Sequence, residues 1–177
     1  MGAPWLDLLT TRGHRYSDSP VELLTDTGAT LEWLRRYDLA PTAAVTADDV
    51  EVLRDLRETL HRAAVAAVHN TAISPQDTRT ITAALAADRP LRVRRGPTSL
   101  LATRPRSAAE AFARLARSAA EDLVGPQRKL LRPCGDSECS GIFLDHTGRR
   151  HWCSDERCGV RSRVRSHRAR MRAAKLS

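Results

Sequence analysis

Residues 134–161 read CGDSECSGIFLDHTGRRHWCSDERCGVR, and they hold all four cysteines of the chain: Cys134, Cys139, Cys153 and Cys158. The cysteines form two C-x4-C pairs separated by thirteen residues. Such a cluster can hold a metal, form two disulfides, run a redox cycle or arise by chance. Two disulfides suit small secreted domains. This chain shows no apolar export segment at its start, and it is long enough to build a core without staples. Redox pairs are usually C-x-x-C. Two pairs of thiolates on two turns, a dozen or so residues apart, converge on one tetrahedral Zn²⁺. The spacing therefore points to one structural zinc ion, although it is looser within each pair and tighter between pairs than the commonest zinc ribbon.

The residues between the pairs agree with a small metal-stapled unit. Ile142, Phe143 and Leu144 read as a strand, and Asp145-His146-Thr147-Gly148 as a turn in which Gly148 takes a positive φ. Arg149 to Trp152 read as the returning strand of a hairpin. Phe143 and Trp152 are placed beside the metal, in a core too small to stand without it. Cys158-Gly159 runs into a helix, whose N-terminal dipole favours a thiolate. A knuckle, a hairpin and a last ligand at a helix start make a treble-clef-like finger. His146 and His151 read as solvated or backbone-bonded, because four cysteines already close the shell.

Cys134, Cys139, Trp152-Cys153-Ser154 and Cys158-Gly159-Val160-Arg161 resemble the CGNR zinc finger. In that family the finger follows an N-terminal ABATE domain, in proteins regarded as bacterial stress-induced transcription regulators. The family's name spells Cys-Gly-Asn-Arg; here Val160 stands in place of the asparagine. The resemblance implies a helical ABATE-like body over residues 1–125, acting in ligand sensing or dimerisation, and a finger with its tail over residues 126–177. The fold class expected is mainly α with a small β-hairpin, plus the C-terminal treble-clef-like finger.

Charge separates the same two parts. Residues 126–177 hold 13 of the 29 Lys and Arg and 5 of the 21 Asp and Glu, so the whole formal charge of +8 lies there. A neutral body with a basic attachment is the footprint of a polyanion binder. After the last cysteine, Val160, Val164, His167 and Met171 follow a helical period, a narrow apolar seam expected to seat the helix on the finger. Arg161, Arg163, Arg165, Arg168, Arg170 and Arg172 occupy the other faces. With Arg149 and Arg150 they are the candidate nucleic-acid contacts, since guanidinium forks match phosphates and guanine edges. Duplex DNA is the expected partner.

In the body, Pro20 reads as opening a helix that carries Leu23, Leu24, Leu31 and Leu34, with Gly28 as a weak point. Trp33 belongs in or beside the core. Thr46 caps a long helix to about Asn70, Ser74-Pro75 starts another, and Ser107-Ala108-Ala109-Glu110 is a capping box ended by Gly125-Pro126. Residues 91–93 and 99–103 read as a hairpin with a basic tip. Leu130 and Leu131 fit either contact with the body or a strand of the finger. Arg12, His14 and Arg57 are the candidate ligand contacts, against a plainer reading of Arg57 as a surface ion pair and of Arg12 and His14 as a solvated loop.

No run is apolar enough to span a bilayer, so a cytoplasmic, nucleoid-associated protein is expected. No nucleophile–base constellation or phosphate loop is legible, and a four-cysteine zinc keeps no position for substrate; a non-enzymatic protein is expected. The competing readings are an RNA- or ribosome-associated accessory protein and a thiol-redox protein.

Overall fold

The computed structural model describes residues 3–136 and 138–175. Its centre is a pair of helices, α3 (Ala47–Val68) and α5 (Ala108–Val124), packed through small and large side chains in turn. Leu53, Leu56, Leu60, Ala63 and Ala64 of α3 meet Ala111, Phe112, Leu115, Ala116 and Ala119 of α5, all at most 3% exposed. The alanines let the two backbones approach, which suits a chain with so few aromatics.

The longer helices of the body start where a capping residue stands. Thr46 and Asp49 make a reciprocal capping box on α3. Ser74 accepts from the Asp77 N–H to cap α4 (Pro75–Leu85), and Ser107 accepts from the Glu110 N–H to cap α5. The short helix α1 (Pro4–Leu9) lies against both central helices and buries Trp5, Leu6, Leu8 and Leu9. The Trp5 indole N–H donates to Asp122 at 2.7 Å, so its polar edge is satisfied as its rings are buried.

The helix expected from Pro20 begins instead at Thr27 (α2, Thr27–Arg36), where the Asp26 carboxylate accepts the Ala29 N–H. Gly28 therefore sits in the first turn rather than in the helix interior. The preceding residues Val21–Glu22 form strand β2, which pairs with β1 (Arg12–Gly13). The hairpin of β3 (Val93–Arg95) and β4 (Leu100–Ala102) is present, but Arg94 and Arg95 lie in its strand and Gly96–Ser99 makes the tip.

A turn at Pro126–Leu130 leads to strand β5 (Leu131–Pro133), which pairs antiparallel with β6 (Ile142–Leu144). This corrects the expected finger hairpin: β6 pairs backwards with β5, and Arg149–Trp152 is irregular. The Asp145 carboxylate is the physical reason. It accepts the N–H groups of Thr147 and Gly148 at 3.0 and 2.9 Å, with Gly148 at φ +69°, and turns the chain away from β6.

Leu131 and Ile142, 2% and 5% exposed, belong to the same core as the helices, with β5 against α3 and β6 against α1. The hydrophobic core thus runs without a break from body to finger. A wide turn, Asp155–Gly159, then opens the last helix α6 (Val160–Lys175).

Candidate metal centre and basic helix

The knuckle between β5 and β6 carries Cys134 and Cys139; Cys153 precedes the wide turn and Cys158 lies within it. Their four sulfurs all lie within 4.8 Å of one another. Cys139 and Cys158 each stand 3.6 Å from Cys153, sulfur to sulfur. Zinc–sulfur bonds of about 2.3 Å place tetrahedral ligands about 3.8 Å apart, so the cage has the size of a zinc ion.

Its surroundings are built for negative sulfur. The Gly141 N–H points at Cys139 Sγ at 3.3 Å, the Cys153 N–H at Cys134 Sγ at 3.5 Å, and an Arg161 N–H at Cys158 Sγ at 3.3 Å. Four thiols this close cannot all ionise by themselves. The hydrogen bond from Cys153, helped by the Gly141 N–H and the other two thiols, outweighs burial and pulls Cys139 down to about 5. Cys153 is pushed far up, first by that same bond and then by burial and the Cys139 charge. A divalent cation removes this conflict by neutralising the sulfurs together. Gly141 must be glycine for steric reasons: a Cβ there would lie 2.9 Å from Cys153 Sγ and 3.2 Å from Cys139 Sγ. His146 and His151 are exposed and lie outside the sulfur cluster.

Phe143 is buried and Trp152 half-buried, each beneath a cation. The Arg150 guanidinium lies 4.6 Å from the Phe143 ring centre and that of Arg163 lies 5.8 Å from Trp152. Arg150 also donates to the carbonyls of Trp152 and Cys153, which shapes the chain entering the second pair of ligands.

The arginines after Cys158 divide by role. Arg161 donates to Asp136 at 2.9 and 2.7 Å, and Arg165 to Asp136 at 3.0 Å and Glu138 at 3.1 Å. The Asp136 side chain has no exposed surface. Burial works to raise its carboxyl, but the Arg165 and Arg161 guanidiniums and the Glu138 N–H outweigh that and hold it below the usual range. These contacts clamp the base of α6 to the knuckle. Arg163 pairs with Asp155. Arg149, Arg168, Arg170 and Arg172 are exposed.

The apolar seam expected to seat α6 on the finger does not do so. Val160, Val164 and Met171 are 45%, 44% and 51% exposed, and His167 is exposed too. Polar clamping at Asp136 replaces apolar packing, so the helix projects beyond its first two turns. Asp136, Glu138, Gly141 and Arg157 carry no motif of their own in the sequence. Their only signal is position, within or beside the two cysteine pairs.

In the body, Arg57 is neither a surface ion pair nor an available ligand anchor. It is 1% exposed, and its guanidinium is taken up by Glu22 at 2.7 and 2.5 Å, Glu58 at 3.0 Å and the Thr11 hydroxyl at 3.0 Å. Burial works to lower its pKa, but these carboxylates more than offset that and raise it. Arg12 lies 3.5 Å from Glu58, and Arg15 is paired to the same carboxylate. His14 is exposed, with its backbone at φ +49°.

His61 of α3 links body to finger, its Nε2 standing 3.3 Å from the Ser140 carbonyl beside Cys139. Burial and the nearby Arg15 charge push it down to about 4, so at neutral pH its Nε2–H donates. Between about pH 6.5 and 4 the unfolded chain takes up a proton that the folded chain refuses, and stability falls as pH drops through that window. His61→Gln keeps a donor but does not titrate. In denaturant titrations of the zinc-loaded protein, the natural chain should lose about 1.5 kcal/mol more than this variant between pH 6.5 and 5. Equal losses would show that His61 is protonated in the folded state.

Fold and sulfur cage together define a helical protein with a C-terminal four-cysteine zinc finger. The ABATE family, described as putative stress-induced transcription regulator, matches residues 2–126, and the CGNR zinc finger matches residues 131–171. The chain belongs to the ABATE family. Among curated proteins no relative matches it. Among the described residues, no helix is long and apolar enough to cross a membrane.

Proposed function

We propose that this protein is a DNA-binding transcription regulator, non-enzymatic and cytoplasmic, associated with the nucleoid. The zinc finger fixes the basic helix α6 on duplex DNA, and the helical body senses a ligand or pairs two copies. One observation carries the reading: α6 is clamped at its base by Asp136, while Arg168, Arg170 and Arg172 project beyond the clamp. Among the described residues no carboxylate pairs with those three arginines. Unneutralised guanidiniums on a rigid mount are suited to phosphate, with only some of them placed for base edges. A structural zinc explains the sulfurs without catalysis or redox cycling.

The RNA alternative is less favoured by the aromatic residues. Phe143 and Trp152 each lie beneath an arginine rather than offering a free stacking face. The test is competition, in anisotropy titrations of the zinc-loaded chain, between random-sequence duplex DNA and a structured RNA of equal charge. Preference for the duplex is expected; preference for RNA would replace this reading with the accessory-protein one.

A further inference from the structure

Residues 89–106 read RPLRVRRGPTSLLATRPR, with six arginines and no acid. The body is neutral as a whole, but this run concentrates its positive charge. It forms the β3–β4 hairpin and the two legs that join the hairpin to the helices. Both legs are held by polar contacts. Asp88, just before the run, pairs with Arg117 of α5 at 3.0 Å. On the other side Arg104 donates to the carbonyls of Ala40 and Pro41 at 3.1 and 3.0 Å, and Arg114 of α5 donates to the Thr103 carbonyl at 2.8 Å.

Beyond those anchors the hairpin stands clear of the body. Residues 91–95 are exposed, Leu100 is 72% exposed, and no hairpin residue joins the hydrophobic core. A two-stranded ribbon has little stability of its own, so the anchored legs and the strand ladder hold this one. The ladder closes at the tip, where the Gly96 N–H donates to the Ser99 carbonyl at 2.8 Å. Among the described residues, the side chains of Arg92, Arg94 and Arg95 have no hydrogen-bond or ion-pair partner. Strand alternation places Arg95 on one face with Val93 and Leu100, and Arg92 and Arg94 on the other. Three unneutralised guanidiniums therefore project from both sides of a ribbon on a fixed mount.

We infer that this hairpin is a second contact for duplex DNA, a basic ribbon that grips phosphates through Arg92, Arg94 and Arg95. The inference rests on the DNA-binding reading above and adds a surface on the body to the one on α6. A two-stranded ribbon has the width that the major groove admits, and guanidinium forks match phosphate oxygens. The other partners fit less well. A lipid surface takes an unbroken apolar face, and here each face carries an arginine. A second copy pairing edge to edge would set arginine against arginine, which is destabilising.

The experiment measures anisotropy of random-sequence duplex DNA with the zinc-loaded full chain over a series of salt concentrations. Changing Arg92, Arg94 and Arg95 together to alanine should lower the slope of log affinity against log salt by about 2 to 3, nearly one per lost phosphate contact. Helicity and zinc content should not change, because these side chains hold nothing in the fold. Lysine at the same three positions should restore most of the slope. As a control for general charge, alanine at Arg35, Arg36 and Arg79, exposed on α2 and α4, should leave the slope as it is. An unchanged slope in the hairpin variant, or an equal fall in the control, would overturn the inference and leave binding through α6 standing. So would a hairpin variant that keeps the full slope but loses binding to vesicles of phosphatidylcholine and phosphatidylserine, which would assign the ribbon to a membrane. A natural chain that binds no duplex at all would remove the DNA reading and this inference together.

Discussion

Replacing Cys153 with serine is expected to abolish stoichiometric zinc binding and to lower the melting temperature of the helical body as well. Cys153 is the hub of the cage, 3.6 Å from both Cys139 and Cys158. Structural zinc sites contribute apparent free energies of about 10–16 kcal/mol at neutral pH, so a three-sulfur remnant cannot hold the knuckle closed against the unfolded chain. The sequence alone suggests that the damage stops at the finger. The continuous core says otherwise. Leu131 and Ile142 come from the finger's two strands and are nearly fully buried against the body helices. Losing the order of that strand pair removes about 1.5–3 kcal/mol of apolar burial per side chain. In a protein of this size that corresponds to a fall of about 10 °C. Calorimetry on the variant, beside zinc analysis, would show it. A body transition at the unchanged temperature would mean that the two parts fold independently.

The second large effect concerns nucleic acid. Changing Arg168, Arg170 and Arg172 together to alanine should reduce the slope of log affinity against log salt by about 2 to 3, nearly one per lost phosphate contact. At moderate salt that amounts to a loss of about a hundredfold or more, while zinc content and helicity should stay at their natural values. Arg161→Ala should behave differently, because Arg161 holds Asp136 and donates to the Cys158 sulfur. Its loss leaves a buried carboxylate with one cation fewer and a thiolate with one donor fewer, and so should appear first as faster zinc release to a chelator. If the triple variant keeps the full salt slope, the phosphate contacts lie elsewhere, and the exposed β3–β4 strand carrying Arg94 and Arg95 becomes the next surface to test.

The two cases show how far the sequence could be read. Four cysteines in two pairs announce the zinc site because metal geometry tolerates few spacings. Helix starts at Thr46, Ser74 and Ser107 are legible because capping is local chemistry. The start of α2 is not legible because Pro20 and Asp26 are both plausible openers, and tertiary pairing of Val21–Glu22 with β1 decides between them. The finger's strand pairing escapes the sequence for a similar reason. β5 lies before the first cysteine, where sequence offers only Leu130-Leu131, and Asp145 diverts the chain that looked like the return strand.

The basic helix shows the limit most clearly. Its seam follows the helical period faithfully, yet the residues stay exposed, because a period says which side chains share a face and not whether anything covers it. The clamp at Asp136 depends on residues 25 and 29 positions apart and leaves no periodic trace. Arg57 is the converse case: an arginine amid a charged helix looked like surface, but the β1–β2 hairpin brings Thr11 and Glu22 over it and buries it.

The central claim is that one ion held by four sulfurs joins the body to the base of the basic helix. Zinc K-edge X-ray absorption on the reduced full chain tests it most directly. The account predicts one zinc per chain in a shell of four sulfurs at about 2.3 Å. A first shell containing nitrogen or oxygen, or a zinc content well below one per chain in freshly reduced protein, would contradict it.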